Sequence, residues 1–175
     1  MWDNLRRDAW RLAGAYGKKY PWYLPEALLF DNGFQAVVFY RMASWCKHRR
    51  IPLLGPLLSR LGLLVTGADL SPRARIGPGL RISHGTGLVV GGWATIGSGA
   101  LLLHGVTIGS PSEGRIDQMP TVGDNVFLGA GATLIGAITV GDDVVVGPHA
   151  VVLRDLPDGA RVRAPEPVIA APDGG

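Results

Sequence analysis

Four histidines and one cysteine are the residues of this 175-residue chain best suited to nucleophilic or acid–base chemistry. Cys46 stands alone, which excludes a disulfide within the chain and a zinc site built on cysteines. His84 and His104 share a local pattern, because each follows an aliphatic residue by two positions and precedes a glycine. The imidazole side chain changes charge near neutral pH, so its neutral form can take a proton from a hydroxyl group. His84 is therefore a candidate general base, and His104 a second base, a substrate contact or a structural residue.

The elements that must position these histidines follow from a six-residue repeat. Each unit predicts a short strand and a turn, with an aliphatic side chain pointing into a narrow prism and glycine at the corner. Three units make one coil, and stacked coils pair through parallel main-chain hydrogen bonds about 4.8 Å apart. The repeat therefore predicts a mainly β chain folded as a parallel β-helix. Its aliphatic positions are Leu70, Ile76, Ile82, Val90, Ile96, Leu102, Ile108, Val122, Leu128, Leu134, Val140, Val146 and Val152.

The composition agrees with many short strands joined by turns. The chain holds 26 Gly and 13 Pro, yet 47 % of its residues are hydrophobic and only 18 % are charged. This composition argues against a helical bundle and excludes disorder or collagen as a description of the whole chain. Basic residues concentrate before the repeat, since residues 1–69 hold ten Lys or Arg against five Asp or Glu. We expect an α-helical region over 1–67, the β-helix domain over 68–163 and a flexible C-terminal tail over 164–175.

The N-terminal region has apolar residues at helical spacing over 3–16 and 35–49, and a third helix is expected over 53–65. We expect these helices to pad and cap the larger core. The alternative is that residues 47–50 and 51–65 form a basic amphipathic patch on a membrane surface, as a peripheral contact. The N-terminus lacks a signal-peptide pattern and no apolar stretch is long enough to cross a bilayer, so a cytoplasmic location is expected. The modest basic excess, with no binding motif, argues against nucleic acid.

The two breaks in the repeat locate a candidate site. The interval from Ile82 to Val90 is eight residues instead of six, so a bulge there carries His84. The second break is a fourteen-residue step, and it predicts an extruded loop over 110–121. Loops on a rigid scaffold are where binding and catalytic residues concentrate.

Counting coils brings candidate residues onto one edge of the prism. Asp69 stands fifteen residues before His84, close to one coil, and is the best-placed carboxylate to orient the imidazole. A zinc site built on these side chains is the rival explanation, but no further His or Cys converges there, so no metal is expected. The edge itself is predicted to carry, on successive coils, His84, His104, Ala130 and Pro148.

Four segments carry a resemblance to a known family: DLSPRARIGPGLRISHGTGLVVGG, LLLHGVTIGS, VGDNVFLGAGATLIG and VGPHAVVLRDLP. They resemble serine O-acetyltransferases of the hexapeptide-repeat acyltransferase superfamily, most strongly over residues 69–157. The resemblance implies a left-handed β-helix that forms a homotrimer, or paired trimers, with acetyl-CoA in a groove between subunits. It implies that His84 is the catalytic base and Asp69 its support, as the coil count suggests. The acceptor oxygen would attack the thioester carbonyl directly.

The resemblance also assigns residues to the co-substrate. The pantetheine arm of acetyl-CoA would run mainly along backbone groups, and Arg154, with Arg161 and Arg163, would meet the CoA phosphates by charge. The residues implied for the arm are Gly109, Ser110, Ala130 and Pro148.

The departures from the family pattern fall on the acceptor side. Ser83 stands where the family has Asp, and Gln118 and Met119 replace an Arg-His pair at the end of the extruded loop. Because those groups hold the two charged ends of serine, their loss should weaken recognition of an amino acid. The sequence therefore predicts an acetyl-CoA-dependent O-acetyltransferase whose acceptor is L-serine, a sugar or another small hydroxyl compound. The alternative is a non-catalytic trimeric β-helix that acts as a scaffold or binds a partner protein.

Overall fold

The structure is a computed structural model that describes residues 1–166. Helices come first: α1 (Trp2–Ala15), α2 (Leu24–Phe30), α3 (Asn32–His48) and α4 (Leu54–Thr66). The sequence predicts three of them and misses α2, because a proline such as Pro25 ordinarily breaks a helix. Pro25 lies in the first turn of α2, where a helix has no use for the missing N–H. Most of the tail expected over 164–175 lies outside the described residues.

Short strands of two or three residues follow the helices and form three parallel sheets. The strands are β1 (Asp69–Leu70), β2 (Arg75–Ile76), β3 (Arg81–Ser83), β4 (Val89–Val90), β5 (Thr95–Ile96), β6 (Leu101–Leu103), β7 (Thr107–Gly109), β8 (Thr121–Val122), β9 (Phe127–Leu128), β10 (Thr133–Ile135), β11 (Thr139–Val140), β12 (Val145–Val146), β13 (Val151–Val152) and β14 (Arg161–Val162). The first sheet has the order β1-β4-β7-β10-β13, the second β2-β5-β8-β11, and the third β3-β6-β9-β12-β14. Up to β13 the pairing partners are three strands apart along the chain, so consecutive strands turn around a common axis, and the last strand, β14, pairs with β12.

The pairing register confirms the predicted parallel β-helix behind a small helical region. In the first sheet, the aliphatic positions of the repeat lie directly above one another and are buried. Stacking the same kind of residue on every coil keeps the interior of the prism uniform in width, which suits close packing of the buried side chains. The stacked residues of this sheet are Leu70, Val90, Ile108, Leu134 and Val152.

The helical layer is fastened to the β-helix by buried polar contacts. The guanidinium of Arg41 in α3 forms an ion pair with Asp8 of α1, with 2.9 Å between Nε and Oδ2, and both side chains are buried. Arg41 also donates to the carbonyl oxygens of Ile76 and Gly77, each at 2.6 Å. Asp8 accepts a hydrogen bond from the N–H of Leu80 at 2.8 Å. One ion pair therefore ties two helices to the same corner of the β-helix.

Candidate active site

His84 lies in a two-residue bulge between β3 and β4. β3 pairs in register with β6 up to its last residue, Ser83. The regular corner resumes at Thr86, whose carbonyl accepts a hydrogen bond from the N–H of Gly105 on the next coil at 3.0 Å. The two extra residues are therefore His84 and Gly85. The bulge expected from the eight-residue interval is present, and it contains the histidine.

The backbone of His84 is in the left-handed region, with φ of 56°, and its side chain is exposed. For a residue other than glycine this conformation costs on the order of 1–3 kcal/mol and persists only where the surroundings hold it. The next residue supplies that hold, because Gly85 is buried. A side chain at Gly85 would meet Ile82 Cγ2 at 3.1 Å and Asn32 Oδ1 at 3.3 Å. The imidazole is thus presented to solvent on a fixed backbone.

Asn32, at the start of α3, fastens the bulge to the helical layer. Its side-chain Oδ1 accepts from the N–H of Gly85 at 3.1 Å, and its Nδ2 donates to the carbonyl of Thr66 at 3.0 Å. The following Gly33 packs so tightly that an added Cβ would lie 2.0 Å from the carbonyl oxygen of Ile82. Sequence reasoning misses Asn32, whose one signal is an Asn-Gly pair directly after a residue, Asp31, suited to capping a helix.

Asp69 lies on the strand beside the bulge. Its N–H donates to the carbonyl of Leu88 at 2.8 Å, and the N–H of Gly87 donates to Gly67 at 2.9 Å. The side chain of Asp69 is exposed. Within residues 1–166 no hydrogen bond or ion pair joins the side chains of Asp69 and His84. The pairing of Asp69 with His84 stays a prediction, because catalytic hydrogen bonds often tighten only when substrate is bound.

Asp69 opens onto a cavity of about 300 Å³ between α4 and the start of the β-helix. Two arginines line it with the carboxylate, one from α4 and one from the turn after β1. The guanidinium of Arg73 lies 5.1 Å from the ring centre of Trp93, which orients it by a cation–π contact. The cavity is therefore polar and carries both signs of charge. Its lining residues are Pro56, Ser59, Arg60, Leu63, Asp69, Ser71, Pro72 and Arg73.

The predicted edge continues along the coils from His104. The carbonyl of His104 accepts from the N–H of Gly131 at 2.9 Å, and the carbonyl of Ala130 accepts from the next coil at 2.8 Å. Pro148 stands at the same corner one coil later and borders a cavity of about 400 Å³ that Arg161 and Arg163 also line. We call the corner that carries His84, His104, Ala130 and Pro148 the histidine edge. The structure places its Pro148 end beside the two arginines.

Arg154 lies elsewhere, at the far end of the first sheet. It follows β13, on the side of that sheet from which the extruded loop emerges, and it is exposed. β7 ends at Gly109 and β8 begins at Thr121, and a short 3₁₀ helix, Glu113–Arg115, lies in the loop between them. Gly109, Ser110 and Arg154 thus belong to a different edge from His84.

Gln118 and Met119 are not brought to His84 within one chain. Both are half-buried, and the Met119 side chain occupies the space beside Gly91, where an added Cβ would lie 2.5 Å from Met119 Cε. The separation has a simple cause. The histidines stand at the corner before the first sheet and the loop at the corner after it. Ser83 does lie directly before His84, half-buried in β3.

In the described part of the chain, residues 1–166, no group of three or more His, Cys, Asp or Glu is arranged to hold a metal ion. His84, His104 and Asp69 do not form a ligand set.

Comparison with known proteins identifies the family of this chain. The model of the family described as bacterial transferase hexapeptide (six repeats) matches residues 119–154. The serine acetyltransferase of Helicobacter pylori is 44 % identical over 135 residues, which cover 77 % of this chain and 79 % of that protein. The chain belongs to the serine acetyltransferase family. Its fold class and its resemblance to hexapeptide-repeat acyltransferases are thereby confirmed.

Other serine acetyltransferases agree in sequence and in structure. That of Synechococcus elongatus is 42 % identical over 137 residues, covering 78 % of this chain and 56 % of that protein. The crystal structure of serine acetyltransferase in complex with coenzyme A from Brucella abortus matches with a TM-score of 0.82 and 30 % identity, over 94 % of this chain and 65 % of that one. The chain therefore spans little more than half the length of some relatives.

Proposed function

We propose that this protein is an acetyl-CoA-dependent O-acetyltransferase in which His84 is the general base. The observation that carries the proposal is the histidine bulge itself. An exposed imidazole is held at φ of 56° by the clamp from Asn32, in a chain of the serine acetyltransferase family. His84 takes the proton of the acceptor hydroxyl while the hydroxyl oxygen attacks the acetyl carbonyl. The proton then passes to the departing thiol sulfur of CoA. Asp69, on the neighbouring strand, steadies the imidazolium.

The residues of the histidine edge fit the co-substrate. Acetyl-CoA supplies its acetyl group as a thioester, and transfer releases free CoA. Ala130 and Pro148 keep the edge low enough for an extended chain to lie against backbone groups. Arg161 and Arg163, beside Pro148 in the cavity of about 400 Å³, offer two guanidinium groups for phosphates. A relative from Brucella abortus has been crystallised with coenzyme A, which supports this choice of co-substrate.

The complete site needs a neighbouring copy of the chain. His84 stands on one edge of the β-helix, whereas Gly109, Ser110, Gln118, Met119 and Arg154 stand on or beside another. In a homotrimer with parallel β-helix axes, the histidine edge of one subunit lies against the corner of the next subunit from which the loop over 110–121 emerges. We therefore propose that the groove between subunits binds acetyl-CoA.

The acceptor is proposed to be a small hydroxyl compound, with L-serine as one candidate and a sugar as the other. Gln118 and Met119 offer no positive charge for a carboxylate, and Ser83 offers no negative charge for an ammonium group. The cavity beside Asp69 instead combines one carboxylate with the guanidinium groups of Arg60 and Arg73, so charges of both signs lie at other positions than those of the family's amino-acid clamp.

Release of free CoA from acetyl-CoA tests the proposal directly, measured with a thiol reagent in the presence of serine, homoserine, sugars or sugar nucleotides. We expect thiol release that depends on one acceptor class and is lost in His84→Ala. Activity on serine at the level of other family members would contradict our interpretation of Ser83, Gln118 and Met119. Failure to bind CoA in calorimetry, with no thiol release for any acceptor, would favour the scaffold alternative.

A further inference from the structure

Helix α4 is built with its apolar side facing outwards. A surface helix ordinarily turns its large apolar side chains towards the core and its small or polar residues towards water. In α4 the buried residues are Gly55, Gly62 and Thr66. Gly62 packs on the ring of Phe39 in α3, where an added Cβ would lie 2.8 Å from Phe39 Cβ. The fully buried positions of α4 are therefore all small residues, which allow α3 and α4 to approach closely.

The opposite face of α4 and the turn before it expose six large aliphatic side chains. Leu53 is 82 % exposed and Leu64 is 74 % exposed, and the others are between 40 % and 58 %. Leu53 also adopts φ of 64°, so the strained turn holds a leucine out at the tip. Contiguous exposed apolar patches of this kind mark interaction sites rather than ordinary surface. We call this set the leucine face: Leu53, Leu54, Leu57, Leu61, Leu64 and Val65.

The exposed charges on α3, on α4 and on the turn between them are all of one sign. Between Asp31 and Asp69 the sequence contains no acidic residue and five Lys or Arg. One of the five, Arg41, is committed to Asp8 inside the protein. The remaining four are exposed: Lys47, Arg49, Arg50 and Arg60.

We infer that the leucine face docks on an anionic lipid surface. Aliphatic side chains enter the boundary between headgroups and acyl chains, while the cations around them meet the phosphates, and long basic side chains reach the headgroups from partly immersed positions. A second copy docked by the same face is a poorer match, because the four exposed cations of each copy would then meet the same cations of the other. None of the described helices is long and apolar enough to cross a membrane, so the contact is interfacial.

Docking of the leucine face on a lipid surface would bring the candidate site close to that surface. α4 ends at Thr66, and Asp69 follows it by three residues. The cavity beside Asp69 is lined by α4 itself. A helix is about 10–12 Å across with its side chains, so docking on this face sets that cavity within roughly one helix diameter of the headgroups. The docking does not depend on the proposed transfer reaction.

Vesicle flotation tests the inference with the full chain. Wild type is mixed with vesicles of phosphatidylcholine alone or of phosphatidylcholine with phosphatidylglycerol, at low and high salt. We expect binding to the phosphatidylglycerol vesicles that weakens with salt. The variant with Leu57, Leu61 and Leu64 changed to Gln should lose about tenfold or more in partitioning, because it removes buried apolar area. Changing Lys47, Arg49 and Arg50 to Gln should lose about fivefold per cation.

Matched controls separate the surface from general stickiness and from misfolding. Val151 and Leu153, 60 % and 66 % exposed on the β-helix, are changed to Gln and should leave flotation unchanged. Leu64→Gln alone is the second variant should the triple change unfold, and circular dichroism checks each protein. A wild type that does not float with phosphatidylglycerol vesicles overturns the inference. So does a triple variant that floats normally but has a lower mass by light scattering, because a second copy would then cover the face.

Discussion

The β-helix and the helical layer are stabilised in opposite ways. In the β-helix the same aliphatic position returns on every coil, and Leu102, Ile108, Leu128 and Leu134 have no exposed surface. The helical layer is joined to that body through a few buried polar groups, above all the pair of Arg41 and Asp8. The β-helix therefore supplies a repeated, rigid frame, whereas the conformation of the candidate base depends on single contacts from the helices.

Removing the ion pair of Arg41 and Asp8 should destabilise the attachment of the helical layer more than any other single change proposed here. Arg41→Ala leaves the carboxylate of Asp8 buried without its partner, together with the carbonyls of Ile76 and Gly77. We expect a loss of about 3–5 kcal/mol in the free energy of unfolding, measured with urea. Arg6→Ala is the matched control, because Arg6 pairs with Asp3 on the surface at 3.8 Å and should change stability little. Equal effects of the two variants would refute the polar attachment of the helices.

Asn32 is the contact through which the helical layer reaches the bulge, and we infer that it is a positioning residue. Asn32→Ala removes the hydrogen bonds to Gly85 and Thr66, so we expect a stability loss of about 1–2 kcal/mol. Thiol release should fall through kcat, with KM for acetyl-CoA unchanged, because the backbone of His84 loses its clamp. Gln35→Ala is the control, because Gln35 is also in α3 and loses only exposed hydrogen bonds to the carbonyls of Leu28 and Leu29 in α2. A parallel loss of kcat in both variants would indicate general destabilisation instead.

The two regions also differ in how far sequence predicts them. The repeat alone is enough to predict that His104, Ala130 and Pro148 stack, because a coil of fixed length determines which residues lie above one another. His84 lies at the same corner but outside the stack, since Thr86 takes the stacked position on its coil. The contact between Asn32 and Gly85 joins positions 53 apart in sequence, and no periodicity links them. It arises from how α3 packs on the bulge, which depends on the close approach of Gly33 to Ile82.

Helix α4 shows the same limit from another side. Its apolar spacing predicts a helix, and the helix is present, but the expectation that it caps the core assumes that large residues face inwards. Gly55 and Gly62 reverse that arrangement, because α3 can approach only where side chains are small. Which face of a helix is buried therefore depends on its glycines, and their effect requires the neighbouring helix to be known.

The stability of the folded protein should depend on pH through the buried ion pair of Asp8 and Arg41. Burial raises the pKa of the Asp8 carboxyl above its ordinary 3.8, although the hydrogen bond from Arg41 opposes the shift. The folded protein then holds this proton more tightly than the unfolded chain does. The stabilisation that Asp8 contributes is complete at a pH below the ordinary pKa of the unfolded chain. It is lost as the pH rises through the higher pKa of the folded protein. In thermal unfolding, the Tm of the wild type relative to that of Asp8→Asn should therefore rise as the pH falls from 7 towards 4. A shrinking difference would mean that Arg41 dominates and the pKa is lowered.

The most direct test of the central claim is thiol release by His84→Ala with its best acceptor, beside calorimetry of CoA binding. A general base contributes about 10²- to 10⁴-fold, so we expect a loss of that size with CoA affinity unchanged. His48→Ala, at an exposed histidine that bonds to the carbonyl of Ser44 in α3, should behave as wild type. Full turnover in His84→Ala would contradict the claim that this imidazole takes the acceptor proton.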